Sequence, residues 1–483
     1  MKIDLSRRAL LQSSVLGGLA ISSSALLAHS PGSGASGATA AASGWATSLS
    51  QDELVPLRLF ADSGFNDEVL FALGAASSRS AEVGEVIRIA QSINAKSGNP
   101  VSADVHAYDQ FYDGFGRFAD QLDALAAKSR SAVTARHRYL RASTYAAQQL
   151  FFVLGTSDGQ REQTIFNTVN RRWTQALERW QPRVVRFSAK SAFGDLPGYL
   201  FRPSADGEPR PTVIISEGSD GQNVESLMFG VTAALERDYN VVLFEGPGQM
   251  SLLFERQTPF TPDWDQVVGP VLRWAKRRSD VGPVALIGIS FGGMLCARAG
   301  AKLDGLDALV LEPGAHSFSA LWGDHSSIDT VRQTRLLPAK ERQEAETALN
   351  EGFVKQWPRM SHGEQFTIYK RGEIFDKRIQ DEARAGKPPS NYYALIESIL
   401  PFEFGDDLRA ITIPTMVTAN QGDEFFADQS GQAFDMLDRV PASRKVLAKF
   451  TAAQGAQLHD QPFGPQVVQE SVFDWLDEQL SGR

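Results

Sequence analysis

A chain of 483 residues, 42% hydrophobic and 22% charged, has ordinary globular composition and enough length for two or three domains. Its net charge of −9 is modest and spread along the chain, which argues against a nucleic-acid partner and against an anionic membrane surface. The single cysteine, Cys296, excludes an intrachain disulfide and a cysteine-based zinc site, and its place just after Ser290 marks it as a small packing residue.

Residues 1–43 read as an export signal and linker rather than as fold. Arg7-Arg8 precede a short, mildly apolar run rich in Ser and Gly, followed by a Pro/Gly/Ala/Ser stretch. The start resembles the twin-arginine signal S-R-R-x-F-L-K: Ser6, Arg7, Arg8 and Leu11 match, with Leu10 for Phe and Gln12 for Lys. Ala38-Thr39-Ala40 offers a small-x-small cleavage site. After Leu27 no apolar run is long enough to span a bilayer. The mature chain is therefore expected to be soluble and exported, periplasmic or extracellular, without stable membrane insertion.

From 48 to 183 apolar residues recur at three- and four-residue intervals between charges, as in "EVLFALGAASSRSAEVGEVIRIAQSINA", and predict a helical domain of about 130 residues. Ser97-Gly98-Asn99-Pro100 and Thr156-Ser157-Asp158-Gly159 break it into separate helices. Near Pro182 the pattern changes. "RVVRFSAK" and "GYLFRPS" predict an antiparallel pair, and "PTVIISEG", "NVVLFEGPG", "VALIGIS", "LDALVLEPG", "IPTMVTANQGD" and "KVLAKFTAAQG" then alternate with helical segments. That alternation predicts a mostly parallel eight-stranded sheet covered by helices over 184–483. A charged helical insertion, about 316–408, interrupts it between strands six and seven, above the carboxyl edge where ligands of such sheets bind.

The fifth of these strands runs into Gly288-Ile289-Ser290-Phe291-Gly292, a G-x-S-x-G pattern. A tight strand-to-helix connection explains the glycines; a nucleophile elbow explains glycines and serine together. An acyl-transfer serine needs a general base, a carboxylate to orient it, and N–H donors for the oxyanion. Of seven histidines only His459 follows the last predicted strand, in "AAQGAQLHDQPF", where chain order puts the base. "TANQGDEFFADQS" after strand seven offers Asp423, Glu424 and Asp428; Asp423 is favoured, Glu424 is its nearest competitor, and Glu312 at the end of strand six is the other topologically allowed acid. The backbone N–H of Phe291 and that of Ser219, in the Gly-rich loop after strand three, are the candidate oxyanion donors. Glu245 and Glu312 read either as buried carboxylates bracing loops or as substrate-binding groups. Phe111, Tyr112, Phe115 and Phe118, with Tyr392, Tyr393, Phe402 and Phe404, are at helical spacing and read first as core, second as an aromatic-accepting pocket.

Together with "RHRYLRASTYAAQ", "EGPGQ", "DWDQVVGPVLRW", "GISFGG", "VLEPG" and "FTAAQGAQLHDQP", these residues resemble the α/β hydrolases, in particular the subgroup with a helical N-terminal domain that contains dihydroxypseudooxynicotine hydrolase, fungal polyketide-shortening hydrolases and related esterases. The resemblance covers nearly all of the chain after about residue 50. It implies the α/β-hydrolase fold, with Ser290 as nucleophile, Asp423 as acid and His459 as base, and no cofactor or metal. Met250 departs from it, standing where a third glycine is usual in the "GPGQG" turn. The expected activity is cleavage of an ester or lactone of a medium-sized, aromatic or polyketide-like small molecule. Carbon–carbon hydrolysis of an acylphenol or β-diketone is the alternative, and an inactive fold used as a binding module is the alternative of another class. A homo-oligomer is left open.

Overall fold

Five helices precede the sheet: α1 (Ser63–Gly74), α2 (Val83–Ser97), α3 (Val105–Ala127), α4 (Ala132–Phe152) and α5 (Glu162–Leu177). The computed structural model describes residues 49–480 apart from Ala427, so the segment read as an export signal lies outside the described residues. Three of these helices start at a capping side chain: Asp62 accepts from Phe65 N–H, Asp104 from Ala107 N–H and Ser131 from Thr134 N–H. Their inner faces carry the rings the sequence pattern left between core and pocket. Phe111 and Phe115 are fully buried, and the Phe111 ring lies 4.7 Å from those of both Phe65 and Phe152. Arg172 of α5, also buried, pairs with Asp120 and Asp123 of α3 and donates to the Ala142 carbonyl of α4 at 3.3 Å, tying three helices together.

The sheet contains β1 (Val185–Ser191), β2 (Gly194–Phe201), β3 (Arg210–Ser216), β4 (Asn240–Phe244), β5 (Val281–Ile289), β6 (Ala308–Glu312), β7 (Thr415–Asn420) and β8 (Lys445–Phe450). Their order is β1-β2-β4-β3-β5-β6-β7-β8, with only the β1–β2 and β2–β4 pairs antiparallel, which is the expected mostly parallel sheet. Every residue of β4, β6 and β7 is buried, and this is why each reads as an unbroken apolar run rather than an alternation. Covering helices are α6 (Val231–Glu236), the short α7 (Met250–Phe254), α8 (Trp264–Lys276) and α9 (Phe291–Lys302).

From β3 the chain passes first to β4 on one side and then to β5 on the other. The direction of strand addition therefore reverses between β3 and β5, and the loops leaving their carboxyl ends open a crevice there. Ser216 lies in register with Gly288, so the two loops leave the sheet side by side.

Six helices lie between β6 and β7: α10 (His325–Thr334), α11 (Ala339–Gln356), α12 (His362–Gly372), α13 (Lys377–Arg384), α14 (Tyr392–Ile399) and α15 (Gly405–Ala410). Helices α16 (Gln429–Asp435) and α17 (Pro465–Leu480) complete the chain, α17 packing against α6. Tyr392, Tyr393, Phe402 and Phe404 are all buried, and Phe353 stacks on Tyr392 at 4.0 Å, so these rings form the core of the insertion. Charge docks the insertion onto the rest. Glu162 of α5, fully buried, accepts from Arg384 Nε at 2.7 Å and from Gln380 Nε2 at 3.2 Å, while Arg384 also donates to the Phe254 carbonyl of α7 at 3.1 Å.

Removing one member of a buried ion pair leaves the other uncompensated, at a cost of about 3 kcal/mol or more. Arg384→Ala is accordingly expected to lower the thermal unfolding midpoint clearly below that of the parent. An unchanged midpoint would show that Glu162 finds another partner.

Candidate active site

Ser290 ends β5 and precedes α9 with φ 52° and ψ −125°, a backbone conformation that costs energy for any residue with a side chain. The glycines around it explain how the turn closes. A Cβ on Gly288 would meet the Gly292 carbonyl oxygen at 2.3 Å, and one on Gly292 would meet the Ser216 carbonyl oxygen at 2.4 Å. The pattern is thus required twice over: the strand and helix touch each other, and both touch the end of β3. Ser290 N–H donates to the Glu312 carbonyl at 2.7 Å, which ties the turn to β6 as well.

His459 comes from the loop between β8 and α17, 169 residues away in sequence, and its Nε2 lies 2.9 Å from Ser290 Oγ. Its Nδ1 lies 3.1 and 3.2 Å from the two carboxylate oxygens of Asp423, on the loop after β7. Asp423 is fixed in turn, because its Oδ1 accepts from the N–H groups of Phe425 at 3.0 Å and Phe426 at 2.8 Å. The structure brings Ser290, His459 and Asp423 into one hydrogen-bonded line, with Asp423 rather than Glu424 facing the imidazole. Phe426 stacks on the imidazole at 5.1 Å with an interplanar angle of 6°, and Phe425 lies 4.8 Å from it.

The loop after β3 runs directly against the elbow. A Cβ on Gly218 would come within 2.7 Å of Ser290 Cβ and 3.2 Å of Phe291 N. The next residue, Ser219, therefore has its N–H beside the serine, on the same side as the Phe291 N–H at the first position of α9. Gln249 braces this loop by donating to the Glu217 carbonyl at 2.5 Å and the Gly218 carbonyl at 3.1 Å. Met250, the departure from the glycine-rich turn, has φ 43°, so a glycine is common there because the turn demands a left-handed residue.

Glu245 accepts from Asn223 Nδ2 at 2.8 Å, from Ser251 N–H at 3.1 Å and from the Ser251 hydroxyl, which makes it a loop brace. Glu312 is 1% exposed, and burial, reinforced by Asp460 and Glu217, pushes its carboxyl up to about 8. Burial likewise raises Glu217 to about 8 and Glu424 to about 8. Asp460 is the residue the sequence reading passed over: its Oδ2 lies 3.4 Å from His459 Nε2, on the serine side of the ring. Asp460 and Gln461 both have left-handed backbones, φ 50° and 47°, and this fold-back, invisible in "HDQP", turns the carboxylate onto its neighbour. Burial alone would lower the His459 pKa, but Asp460 and Asp423 outweigh it and hold the imidazole up at about 9. Among the described residues no group of His, Cys, Asp and Glu side chains is arranged to hold a metal ion. Cys296 is fully buried in α9, and burial pushes its thiol up to about 12.

No family model matches the chain. The alpha/beta hydrolase psoB of Aspergillus fumigatus is 31% identical over 288 residues, covering 55% of this chain and 61% of that protein. The alpha/beta hydrolase ucsC of an Acremonium species is 24% identical over 454 residues, covering 86% of this chain and 87% of that protein. The crystal structure of 2,6-dihydroxy-pseudo-oxynicotine hydrolase superimposes with a TM-score of 0.58 at 17% identity, covering 85% of this chain and 97% of that one. The chain has the α/β-hydrolase fold, and these relatives support a hydrolase.

A neutral imidazole is needed to accept a proton from Ser290, so kcat/KM should rise with pH through the His459 pKa. Asp460→Asn removes a negative charge beside Nε2, destabilises the imidazolium and lowers that pKa. The acidic limb of the pH profile is expected to move down by about one unit. A limb that stays in place, or moves up, would show that Asp460 does not act on the imidazole.

Proposed function

We propose that this chain, which has the α/β-hydrolase fold and hydrolases among its relatives, is a serine hydrolase that cleaves a carboxylic ester or lactone of a medium-sized aromatic or polyketide-like molecule. The observation that carries the reading is the line Ser290 Oγ, His459 Nε2 at 2.9 Å, and His459 Nδ1 within 3.2 Å of both Asp423 oxygens. In this reading His459 takes the hydroxyl proton as Ser290 attacks the carbonyl carbon, and Asp423 holds the ring and stabilises the imidazolium. The oxyanion meets the N–H groups of Phe291 and Ser219. Collapse expels the alkoxide, which His459 protonates; water then repeats the sequence on the acyl-enzyme and restores Ser290.

Support for an aromatic substrate comes from the rings around the elbow. Phe291 lies 4.9 Å from Phe318 and 5.0 Å from Phe260, Phe318 lies 5.0 Å from Phe375, and Phe318 and Phe425 are only partly buried. Export rests on the Ser6-Arg7-Arg8 pattern alone.

The test is a fluorophosphonate probe with peptide mapping, followed by an assay of aryl esters, lactones and acylphenols. Labelling at Ser290 is expected, and Ser290→Ala should lose label and reduce turnover by a factor of about 10⁴ or more while keeping the fold. Full turnover by Ser290→Ala would remove the serine as nucleophile. Turnover of acylphenols without esters would replace ester cleavage by carbon–carbon hydrolysis.

A further inference from the structure

The loop that carries Ser219 is held from above as well as from below. Beneath it are Gln249 and the elbow. Above it is the end of α12, 152 residues away in sequence: Arg371 Nη1 donates to Ser219 Oγ at 3.3 Å and pairs closely with the Asp220 carboxylate. Ser219 Oγ itself donates to Asp220 Oδ2 at 2.7 Å, so the three groups form a closed triangle. Lys370, 3% exposed, stands 3.7 Å from the other Asp220 oxygen and 3.1 Å from Glu373. The guanidinium of Arg371 also lies 5.9 Å from the centre of the Phe425 ring, which in turn packs against His459. One side chain of the insertion therefore touches both loops that flank Ser290.

Nothing else in the sequence of the β3 loop fixes the plane of the Ser219 peptide. Its flanking glycine, Gly218, is free to rotate, and Gln249 holds the carbonyls of Glu217 and Gly218 but not the residue that follows. An oxyanion donor works only when aimed at the developing charge in advance, since reorienting a peptide during the reaction forfeits most of its benefit. Resting on the serine-hydrolase reading above, we infer that Arg371 is a positioning residue: the insertion supplies, through Arg371 and Asp220, the clamp that aims the Ser219 N–H at the oxyanion. The insertion is then part of the oxyanion hole as well as its cover, and transition-state stabilisation is complete only while α12 is seated.

The clamp and the mere docking of the insertion are separable, because Arg384 docks the same segment through Glu162 without touching the β3 loop. The experiment compares Arg371→Ala, Arg371→Lys and Arg384→Ala in the full chain, using an aryl ester for steady-state kinetics and a fluorophosphonate for the labelling rate. Losing a well-placed oxyanion donor costs about 10²–10³ in kcat, and a donor that is displaced rather than deleted should cost about 10- to 100-fold. Arg371→Ala is expected to lose that much in kcat and in labelling rate, with KM within about threefold of the parent. Arg371→Lys, which keeps the charge on Asp220 but cannot fork to Ser219, should fall between the two. Arg384→Ala should lose stability and keep kcat within about threefold. If the parent labels at Ser290 while Arg371→Ala keeps its kcat and labelling rate, or if Arg384→Ala loses as much kcat as Arg371→Ala, the clamp is overturned and the hydrolase reading stands. A parent that takes no label overturns the hydrolase reading itself. Should Arg371→Ala fail to fold, a parent-like kcat in Arg371→Lys would overturn the clamp by itself.

Discussion

A serine with φ 52° is an expensive thing to keep, and much of the catalytic edge is arranged around keeping it. The turn holds because Gly288 and Gly292 let strand and helix meet, because the Ser216 carbonyl occupies the space a Cβ on Gly292 would need, and because the Ser290 N–H is tied to β6. Those contacts draw the ends of β3, β5 and β6 together. With them come the loops that carry Ser219, Phe291 and Glu312. The crevice created by the reversal of strand order between β3 and β5 is therefore filled by backbone, and the hydroxyl stands at its mouth with His459 as its neighbour.

Electrostatics at that mouth are one-sided. Asp423 faces Nδ1 and Asp460 stands beside Nε2, so the imidazole is flanked by carboxylates on both nitrogens. Glu217, Glu312 and Glu424 lie close behind them, each pushed up to about 8, first by burial and then by neighbouring acids. These acids share the cost of confinement by holding their protons, which leaves the charge of the pair nearest His459 to act on the ring. The cations that answer this acidity, Lys370 and Arg371, come from α12, so the insertion completes the charge balance of the site as well as covering it.

Much of this was legible from the chain. Buried strands such as β4, β6 and β7 read as unbroken apolar runs because both faces are covered, and the elbow glycines announce a contact between backbones. His459 stood out because it alone among seven histidines follows the last strand. Other features depend on contacts no linear pattern encodes. Whether Asp423 or Glu424 faces the imidazole is decided by the Phe425 and Phe426 N–H groups, which capture Asp423 within its own turn. Asp460 reaches Nε2 only through two successive left-handed residues. Arg371 lies in a charged helix where an arginine ordinarily signifies a solvated face, and Asp220, its partner, precedes it by 151 residues. Phe111 and Tyr392 have the spacing of core and are core, whereas Phe318 and Phe425, in irregular segments without periodicity, are the rings beside the serine and the histidine.

The central claim is that a covalent bond forms at Ser290 during turnover. The most direct measurement is rapid acid quenching of the protein while it consumes an aryl ester, with the intact mass read first and the adduct then mapped by peptide. The account predicts a mass increase equal to the acyl group, carried by the peptide that contains Ser290 and absent from Ser290→Ala. An acyl group on a different residue, with Ser290 unmodified, would contradict it.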